Sequence, residues 1–510
     1  MTDIIGKDKM SSNKSNNKHL VVLIHGLWGS HKHMKSMEQV WNDKFGKIHE
    51  TEKGKSGYEE AIFFAPKQNA VFKTFDGIEI IGYRTLVELC HFIKTFHEKD
   101  KDAKITKISV VGYSLGGLVA RFVVGKCFTD CLEIFKDIEP FVFMTVASPH
   151  VGIQFYGNTF FSSFILNPLK KLLGSFLLGK SGRELFIIGG GSREPILVRL
   201  SKGEYLYALS LFKHRIVMAN VKNDRTVAFY TAFISDKDPF IETDNKVKYY
   251  FEQDIPEQDS YKAKILPRIV DLNKLDVHEK APQRKVSVST KRYLIWAVLI
   301  PLAFLIIFPI ALILNACGSI YSYAATAKYR RMIKQEKRIP VYVQEKIGIR
   351  NKVHDFVSDT YDSIINENTK QDPYINANEQ DLSPHTSKNM AYSQYDGNDS
   401  IENPFDTIST IASDDDKLWD KIIYKYSHNM DSNEKWVQTF HSLPFDKNRQ
   451  TIVQNLSKLE WIRIPMYVKF INSHGSIIAR RGINENTPQT GYAALEFSGS
   501  LIRHFLENEH

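Results

Sequence analysis

"VVGYSLGGL", residues 110–118, sets Ser114 between Gly112 and Gly116 in the pattern G-x-S-x-G. The residues before it, KITKISVVG, become continuously apolar and predict a buried strand, whereas GGLVARFVVGKCF after it has apolar side chains at helical spacing. A sharp turn between a strand and a helix lifts a serine hydroxyl clear of the backbone, as a nucleophile requires. The two glycines leave the space that such a turn needs. The alternative is a serine in an ordinary glycine-rich turn.

The apolar stretches on either side of this turn alternate between strand and helix character. Residues 19–30 and 140–152 predict strands that run into loops, and residues 82–99 predict a helix. Residues 214–234 return to strand character, with a polar loop among them. Alternating strands and helices predict an α/β fold with a mostly parallel sheet that is covered on both faces.

The composition limits the kinds of partner and cofactor. The 510 residues carry a formal net charge of +9, which favours an anionic surface, either nucleic acid or phospholipid. The sequence contains no nucleic-acid-binding motif, so we expect no nucleic-acid partner. The four cysteines form no metal-binding CxxC pair, and we expect free buried thiols, a reducing compartment, and no metal or cofactor. They are Cys90, Cys127, Cys131 and Cys317.

One stretch, YLIWAVLIPLAFLIIFPIALILNAC at 293–317, is 25 residues long and uncharged. That length is sufficient for a membrane segment, and a buried core helix so long would normally show a polar face. Basic residues flank it, with Lys291 and Arg292 before it and a basic run at 328–338 after it. The sequence therefore predicts that this segment enters a membrane.

The remaining composition changes divide the chain further. The polar residues 1–18 lack a secretory signal and predict a disordered tail with a cytosolic start. Within the first α/β part, 19–275, the apolar but glycine-broken residues 155–190 suit either core or a lid over the site. The other predicted segments are a linker at 276–292, a membrane hairpin at 293–325, a basic juxtamembrane region at 326–365, a disordered insertion at 366–418 and the C-terminal α/β part at 419–510.

A serine nucleophile needs a base and an acid that orients the base. Asp224 follows the strand HRIVMANV, and His474 follows the strand IPMYVKFINS, so each lies where a strand ends and a loop begins. The chain order nucleophile, acid, histidine is one in which such triads occur. We predict Ser114, Asp224 and His474 as the catalytic residues, with Asp236 and Asp238 as rival acids.

The nucleophile also needs hydrogen-bond donors for the oxyanion of the tetrahedral intermediate. We predict that these donors are the backbone N–H groups of Leu27 and Leu115. His25, in the "HG" after the first strand, is interpreted as a structural residue of the oxyanion loop rather than as the base.

Six motifs in order make the chain resemble the eukaryotic putative serine esterase family of α/β-hydrolases. They are HLVVLIHGLWGS, GIEIIGYRTLVEL, VVGYSLGGLVARFVVG, ASPHVG, MANVKNDRTVAFYTA and NSHGSIIARR, and the resemblance covers roughly 19–235 and 440–482. It implies an α/β-hydrolase fold, with Ser114 as nucleophile, Asp224 as acid and His474 as base. HGLWGSHKHMKSMEQVW looks most similar to the fungal lipid-droplet phospholipases of the family; other fungal members are monoacylglycerol lipases.

The triad constrains the topology of the membrane segment, because Ser114 and Asp224 precede it and His474 follows it. A single crossing would separate His474 from Ser114, whereas a hairpin at 293–325 keeps both on the cytosolic side, where basic flanks are favoured. Pro301 and Pro309 supply breaks for such a hairpin. A hairpin can also sit in the phospholipid monolayer of a lipid droplet.

These inferences predict a serine hydrolase that deacylates glycerolipids. The substrates expected are glycerophospholipids at the surface of lipid droplets or of the endoplasmic reticulum, with the catalytic unit facing the cytosol. A monoacylglycerol lipase is the alternative among enzymes, and a non-catalytic scaffold on a lipid surface is the alternative outside them.

Overall fold

A six-stranded parallel sheet lies at the centre of the protein, for which we use a computed structural model. The structure describes residues 17–51, 59–156, 167–188, 194–241, 247–256, 263–277, 411–470, 472–485 and 487–508, with seven single positions between 309 and 327. The strands of the large sheet are β1 (Asn17–Ile24), β2 (Glu60–Phe64), β3 (Lys104–Tyr113), β4 (Glu139–Val146), β5 (His214–Asn220) and β8 (Ile462–Met466). Their spatial order is β2-β1-β3-β4-β5-β8, and all neighbours are parallel. The short strands β6 (Val247–Lys248) and β7 (Asp276–Val277) pair antiparallel beside it.

Helices connect the strands and follow the last of them. The helices before the apolar segment are α1 (Lys35–Thr51), α2 (Ile78–Lys99), α3 (Leu115–Cys127), α4 (Leu132–Phe135), α5 (Asn167–Leu177), α6 (Gly179–Leu185), α7 (Ile196–Arg199), α8 (Gly203–Leu211) and α9 (Phe229–Phe233). Those after it are α10 (Ile411–Ser427), α11 (Lys435–Thr439), α12 (Lys447–Leu456), α13 (Ser473–Ser476) and α14 (Gln489–Glu507). Short 3-10 helices lie at His31–Met34, Val71–Phe75 and Leu272–Lys274.

Two apolar clusters cover the two faces of the sheet, as the alternation of side chains along β1 requires. Leu20 and Val22 pack with residues of α2, α3, α8 and α12 on one face. Val21 and Leu23 pack with residues of α1, α10 and α14 on the other. The predicted mostly parallel sheet with helices on both faces is confirmed. Helices from beyond the apolar segment lie on both faces, so the two halves of the chain share one core.

Three predicted segments overlap helices or strands of the structure by two to eight residues. Strand β1 begins at Asn17, not after a disordered tail to Lys18, because Lys18 pairs with β2 and its ammonium lies 2.5 Å from a Glu60 oxygen. The predicted linker at 276–292 opens with β7, which is paired to β6. The predicted disordered insertion at 366–418 overlaps α10, which begins at Ile411 and buries Trp419 against the sheet.

Strand character was predicted for 214–234 with a polar loop among these residues, and the part after the loop is not a strand. Strand β5 ends at Asn220, and FYTAF forms the helix α9, all of whose residues are buried. In the region that suited core or lid, Ser181 and Leu185 of α6 are buried, and the Ser181 hydroxyl donates to the carbonyl of Thr74 at 2.6 Å. Helix α6 therefore packs on the body of the fold.

Several predicted segments lie outside the described residues. These are most of the tail, most of the linker at 276–292, nearly all of the hairpin at 293–325 and of the juxtamembrane region at 326–365, and most of the insertion at 366–418. Among the residues that are described, no helix has the length and apolar character needed to cross a membrane. Cys90, Cys127 and Cys131 are free and buried as expected, whereas Cys317 is exposed because it lies in the apolar segment rather than in the core.

Candidate active site

Ser114 occupies the sharp turn between β3 and α3. Its backbone has φ 55° and ψ −128°, a positive φ that a non-glycine residue rarely adopts. The turn is possible because its neighbours lack side chains. A Cβ on Gly116 would lie 2.2 Å from the carbonyl oxygen of Ile24, and one on Gly112 would lie 2.4 Å from the Cα of Gly117. The strand, turn and helix predicted around Ser114 are therefore present.

The structure brings Ser114, His474 and Asp224 into one chain of hydrogen bonds. His474 Nε2 lies 3.0 Å from Ser114 Oγ, and His474 Nδ1 lies 2.9 Å from Asp224 Oδ2. With its Nδ1 proton donated to the carboxylate, the imidazole presents an unprotonated Nε2 to the serine hydroxyl. Ser114 and His474 are 360 residues apart in sequence, and both are buried. This geometry suits transfer of the serine proton to the imidazole.

Asp224 is held by donors on three sides besides His474. Its Oδ1 accepts from the backbone N–H groups of Thr226 and Val227 at 3.0 and 2.8 Å, and its Oδ2 accepts from Asn220 Nδ2 at 2.9 Å. Burial would raise the pKa of this carboxyl, but the interactions with His474 and these donors outweigh it and hold the pKa below its usual value. The carboxylate therefore stays charged beside His474.

The rival aspartates lie elsewhere and have other partners. Asp238 accepts from the backbone N–H groups of Tyr230 and Phe240, and its burial raises its pKa to about 6. Asp236 accepts from the Ser442 hydroxyl at 2.6 Å. Of the three candidate acids, only Asp224 has a hydrogen bond to His474 among the described residues.

The loop after β1 packs directly against Ser114. A Cβ on Gly26 would lie 2.6 Å from the Ser114 Cβ and 3.1 Å from its Oγ, so only glycine fits there. Leu27 follows Gly26, and Leu115 follows Ser114 at the first turn of α3. Within the part of the chain that is described, neither of their N–H groups donates a hydrogen bond, which leaves both amides available to an oxyanion.

His25 bonds its own loop and not Ser114. Its Nδ1 donates to the carbonyl of Gly26 at 3.0 Å, and burial lowers its pKa to about 3, so the ring is neutral near pH 7. A neutral ring with this hydrogen bond stabilises the loop, which is the structural role predicted for His25. Trp28 continues the loop with φ 56°, and its N–H donates to Thr74 Oγ1 at 3.1 Å.

Three further residues hold the triad in place through hydrogen bonds, and the sequence did not predict these roles. Tyr113 is buried, and its hydroxyl donates to the carbonyl of His474 at 3.0 Å. Ser473 bonds the loop of the acid, through its hydroxyl to the carbonyl of Lys222 and through its N–H to that of Asn223. Asn220, noted above, holds Asp224. The G-x-S-x-G pattern includes Tyr113, but no local signal in the sequence reports its partner 361 residues away.

No metal site accompanies these residues in the part of the chain that is described. There, no group of three or more His, Cys, Asp or Glu side chains is placed to hold a metal ion. The groups that the site itself presents are a hydroxyl, an imidazole, a carboxylate and two backbone amides.

Residues 14–237 match the family described as "Putative serine esterase (DUF676)". This match includes Ser114 and Asp224, and it ends before the apolar segment and before His474.

Two relatives come from Saccharomyces cerevisiae. "Putative lipase ROG1" is 32% identical over 221 residues, which are 42% of this chain and 28% of that protein. "Putative lipase YDL109C" is 30% identical over 221 residues, 43% of this chain and 30% of that protein. The chain thus spans less than a third of the length of these relatives.

Among solved structures, phospholipase PlaB from Legionella pneumophila in complex with thio-NAD is similar with a TM-score of 0.25 and 13% identity. The alignment covers 42% of this chain and 40% of PlaB. So low a score supports no conclusion about function.

Proposed function

We propose that this chain, which belongs through residues 14–237 to the DUF676 family of serine esterases, hydrolyses glycerolipid esters through Ser114. The observation that carries the proposal is the hydrogen-bond chain from Ser114 through His474 to Asp224. The strained backbone of Ser114 and the two unbonded amides beside it support the same reading. Six parallel strands, with Ser114 after the third strand across the sheet, support an α/β-hydrolase fold.

The reaction proceeds by acyl transfer to the serine. Ser114 Oγ attacks the ester carbonyl while His474 Nε2 takes its proton, and the amides of Leu27 and Leu115 bind the oxyanion that forms. Each such donor stabilises the transition state by about 3 kcal/mol in comparable enzymes. His474 then gives the proton to the leaving alcohol, and a water molecule repeats the sequence to release the fatty acid. Asp224 holds the neutral imidazole in the required tautomer and stabilises the imidazolium that forms when His474 takes the proton.

The substrates we propose are glycerophospholipids on the cytosolic face of lipid droplets or of the endoplasmic reticulum. The names of the two yeast relatives support a lipid ester as the substrate class. The uncharged stretch at 293–317 supports contact with lipid. Among the described residues in it and just after it, Ile313 and Ile320 are exposed, at 63% and 71%. Apolar side chains left out of the core suit insertion of a hairpin, 293–325, into a monolayer.

An assay of the purified full chain tests this proposal. Phosphatidylcholine, phosphatidylethanolamine, monoacylglycerol and triacylglycerol are presented side by side in the same mixed micelles, with Ser114→Ala as the matched control. We expect fatty acid release from the two phospholipids and none from the variant. Release from monoacylglycerol alone would replace the phospholipase by a monoacylglycerol lipase. No release from any ester would overturn the enzymatic function and favour a lipid-surface scaffold.

A further inference from the structure

The two loops that carry Asp224 and His474 leave the same edge of the sheet. Strand β5 ends at Asn220 and β8 at Met466, and these strands are parallel neighbours. Residues 221–228, 467–470 and 472–485, which follow them, therefore lie at the end of the sheet that carries Asp224 and His474. The bonds from Ser473 to Lys222 and Asn223 join the two loops.

These two segments contain five cations and two acids. The Asp224 carboxylate is hydrogen-bonded to His474 and to a backbone N–H of its own loop. Glu485 is therefore the one other acid in these segments. We call the five cations the cationic rim: Lys222, Arg225, Lys469, Arg480 and Arg481. The side of the site formed by the acid and the base thus has a marked excess of positive charge.

The cations of the rim lack acidic partners. None of the five makes an ion pair with any residue that the structure describes, although lysines of the nearby helix α10 do. Lys425 pairs with Glu252 and Asp271, and Lys421 pairs with Asp254. Arg225, Lys469 and Arg481 are exposed. Burial of part of the Arg481 side chain and the adjacent charge of Arg480 both lower the pKa of Arg481, as expected for neighbouring cations.

Aromatic rings lie beside the rim. The ammonium of Lys222 is 5.4 Å from the ring centre of Tyr249 and 6.0 Å from that of Tyr467. The two tyrosine rings are 5.0 Å apart and half-buried. Amphipathic rings together with Lys and Arg are the side chains enriched where a protein meets the headgroup layer of a membrane. Unpaired cations next to such rings are complementary to a surface of phosphate groups.

We propose that the cationic rim docks the mouth of the active site onto an anionic phospholipid surface. The inference rests on the proposed function, because a lipid surface is the partner only if the ester substrate lies in one. The rim would orient the site by charge, in addition to any anchoring by the apolar segment. Its position beside the proposed nucleophile and its aromatic neighbours favour lipid over nucleic acid.

Vesicle binding tests the rim without depending on turnover. The full chain carrying Ser114→Ala is floated with vesicles of phosphatidylcholine alone or of phosphatidylcholine with phosphatidylserine. The partition coefficient for the vesicles with phosphatidylserine is divided by that for phosphatidylcholine alone. This ratio reports the electrostatic contribution to membrane binding, since the apolar segment contributes to both coefficients. The rim variant adds K222Q, R225Q, K469Q and R481Q and keeps Arg480, whose charge acts on the buried Tyr113 and His25.

A matched control removes the same number of charges from the opposite edge of the sheet. It carries K101Q, K104Q, K136Q and K458Q, all at exposed lysines close to the amino-terminal ends of β3, β4 and β8. A cation near an anionic surface contributes about fivefold to binding. We therefore expect the rim variant to lower the ratio at least tenfold, and the control to change it less than about threefold at moderate ionic strength.

Equal losses in the two variants, or no loss in either, would overturn the proposal. So would tighter binding of the unmodified chain to duplex DNA than to the phosphatidylserine vesicles, with that binding lost in the rim variant. Hydrolysis of a short soluble ester by the chain with Ser114 intact is measured in parallel and should be equal with and without the rim substitutions. Absence of that activity would refute the esterase function. The ratio of partition coefficients would still show whether the cationic rim binds an anionic lipid surface.

Discussion

Tyr113 joins the strand of the nucleophile to the loop of the base. Because its hydroxyl donates to the carbonyl of His474 and its ring centre lies 5.1 Å from the imidazole, it limits how that loop can move. A single buried hydrogen bond contributes about 0.5–1.5 kcal/mol, so we expect Tyr113→Phe to lower kcat about threefold to tenfold without changing KM on a soluble ester. Steady-state kinetics measure both constants.

The matched control for this prediction is Tyr426→Phe. Tyr426 is equally buried, but it lies on helix α10. Its hydroxyl donates to Glu252 at 2.9 Å and not to a residue of the candidate triad. Both variants should unfold at lower urea concentration, whereas only Tyr113→Phe should lower kcat. Equal kcat values for the two variants would mean that the Tyr113 hydroxyl serves stability alone.

Two aspartates give the stability of the protein opposite dependences on pH. The lowered pKa of Asp224 stabilises the fold above the unfolded pKa, and this contribution is lost as the pH falls through the folded pKa. The pKa of Asp238 is raised from 3.8 to about 6, so its contribution is full below pH 3.8 and is lost as the pH rises through 6. Two units at about 1.4 kcal/mol each correspond to about 3 kcal/mol.

Asp238→Asn removes this titration. Urea unfolding of the unmodified chain and of Asp238→Asn at several pH values between 4 and 7 should therefore show a difference in free energy of unfolding that changes by up to about 3 kcal/mol. The unmodified chain should lose stability relative to the variant as the pH rises. Parallel curves would show that Asp238 does not titrate in this range.

At the scale of elements, the junction of β1 with α3 depends on Gly116. A Cβ there would lie 2.2 Å from the Ile24 carbonyl, whereas one on Gly475, next to His474, would lie 3.7 Å from its nearest atom in Arg480. We expect Gly116→Ala to cost roughly 1–3 kcal/mol and most of the activity. Gly475→Ala should keep activity within about threefold, because that contact is ordinary. Thermal melts and a soluble-ester assay compare the two, and similar activities would refute the role of the close packing at Gly116.

The elements that the sequence predicted well are those with a consistent pattern. The apolar run to Val111 and the helical spacing of Leu118, Val119 and Phe122 describe β3 and α3, because a strand buried on both faces and a helix on the sheet need those patterns. Helix α9 was missed because its five residues, FYTAF, are all buried and favour strands on propensity. Only the tertiary setting, between the acid loop and the sheet, makes them helical.

In the candidate site, too, some residues could be predicted from the sequence and others could not. Asp224 and His474 were predictable because each follows an apolar strand, and parallel strands bring such ends to one edge of a sheet. Their supports were not predictable, since the bonds of Tyr113 and Ser473 cross 361 and 251 residues of sequence. Long-range contacts of this kind depend on the packing of the whole sheet and leave no local pattern.

At the scale of the whole molecule, the proposed hairpin has to keep both halves of the site on one side of the lipid. We expect that replacing 293–325 by a flexible bridge releases the chain from membranes, spares hydrolysis of a soluble ester and lowers turnover of droplet lipid. Protease protection of terminal tags in sealed microsomes checks the topology, and both tags should be digested without detergent. Protection of one tag in an active enzyme would contradict the hairpin or the assignment of His474 within one molecule.

The most direct test of the central claim, that Ser114, His474 and Asp224 act together, is labelling with a fluorophosphonate. We expect a single modified peptide that contains Ser114, and no labelling of Ser114→Ala. Asp224→Asn should slow labelling by roughly three orders of magnitude or more, because an amide does not stabilise the imidazolium, whereas Asp238→Asn should label at close to the original rate. Modification at another serine, or equal rates for Asp224→Asn and the unmodified chain, would show that these three residues do not act together.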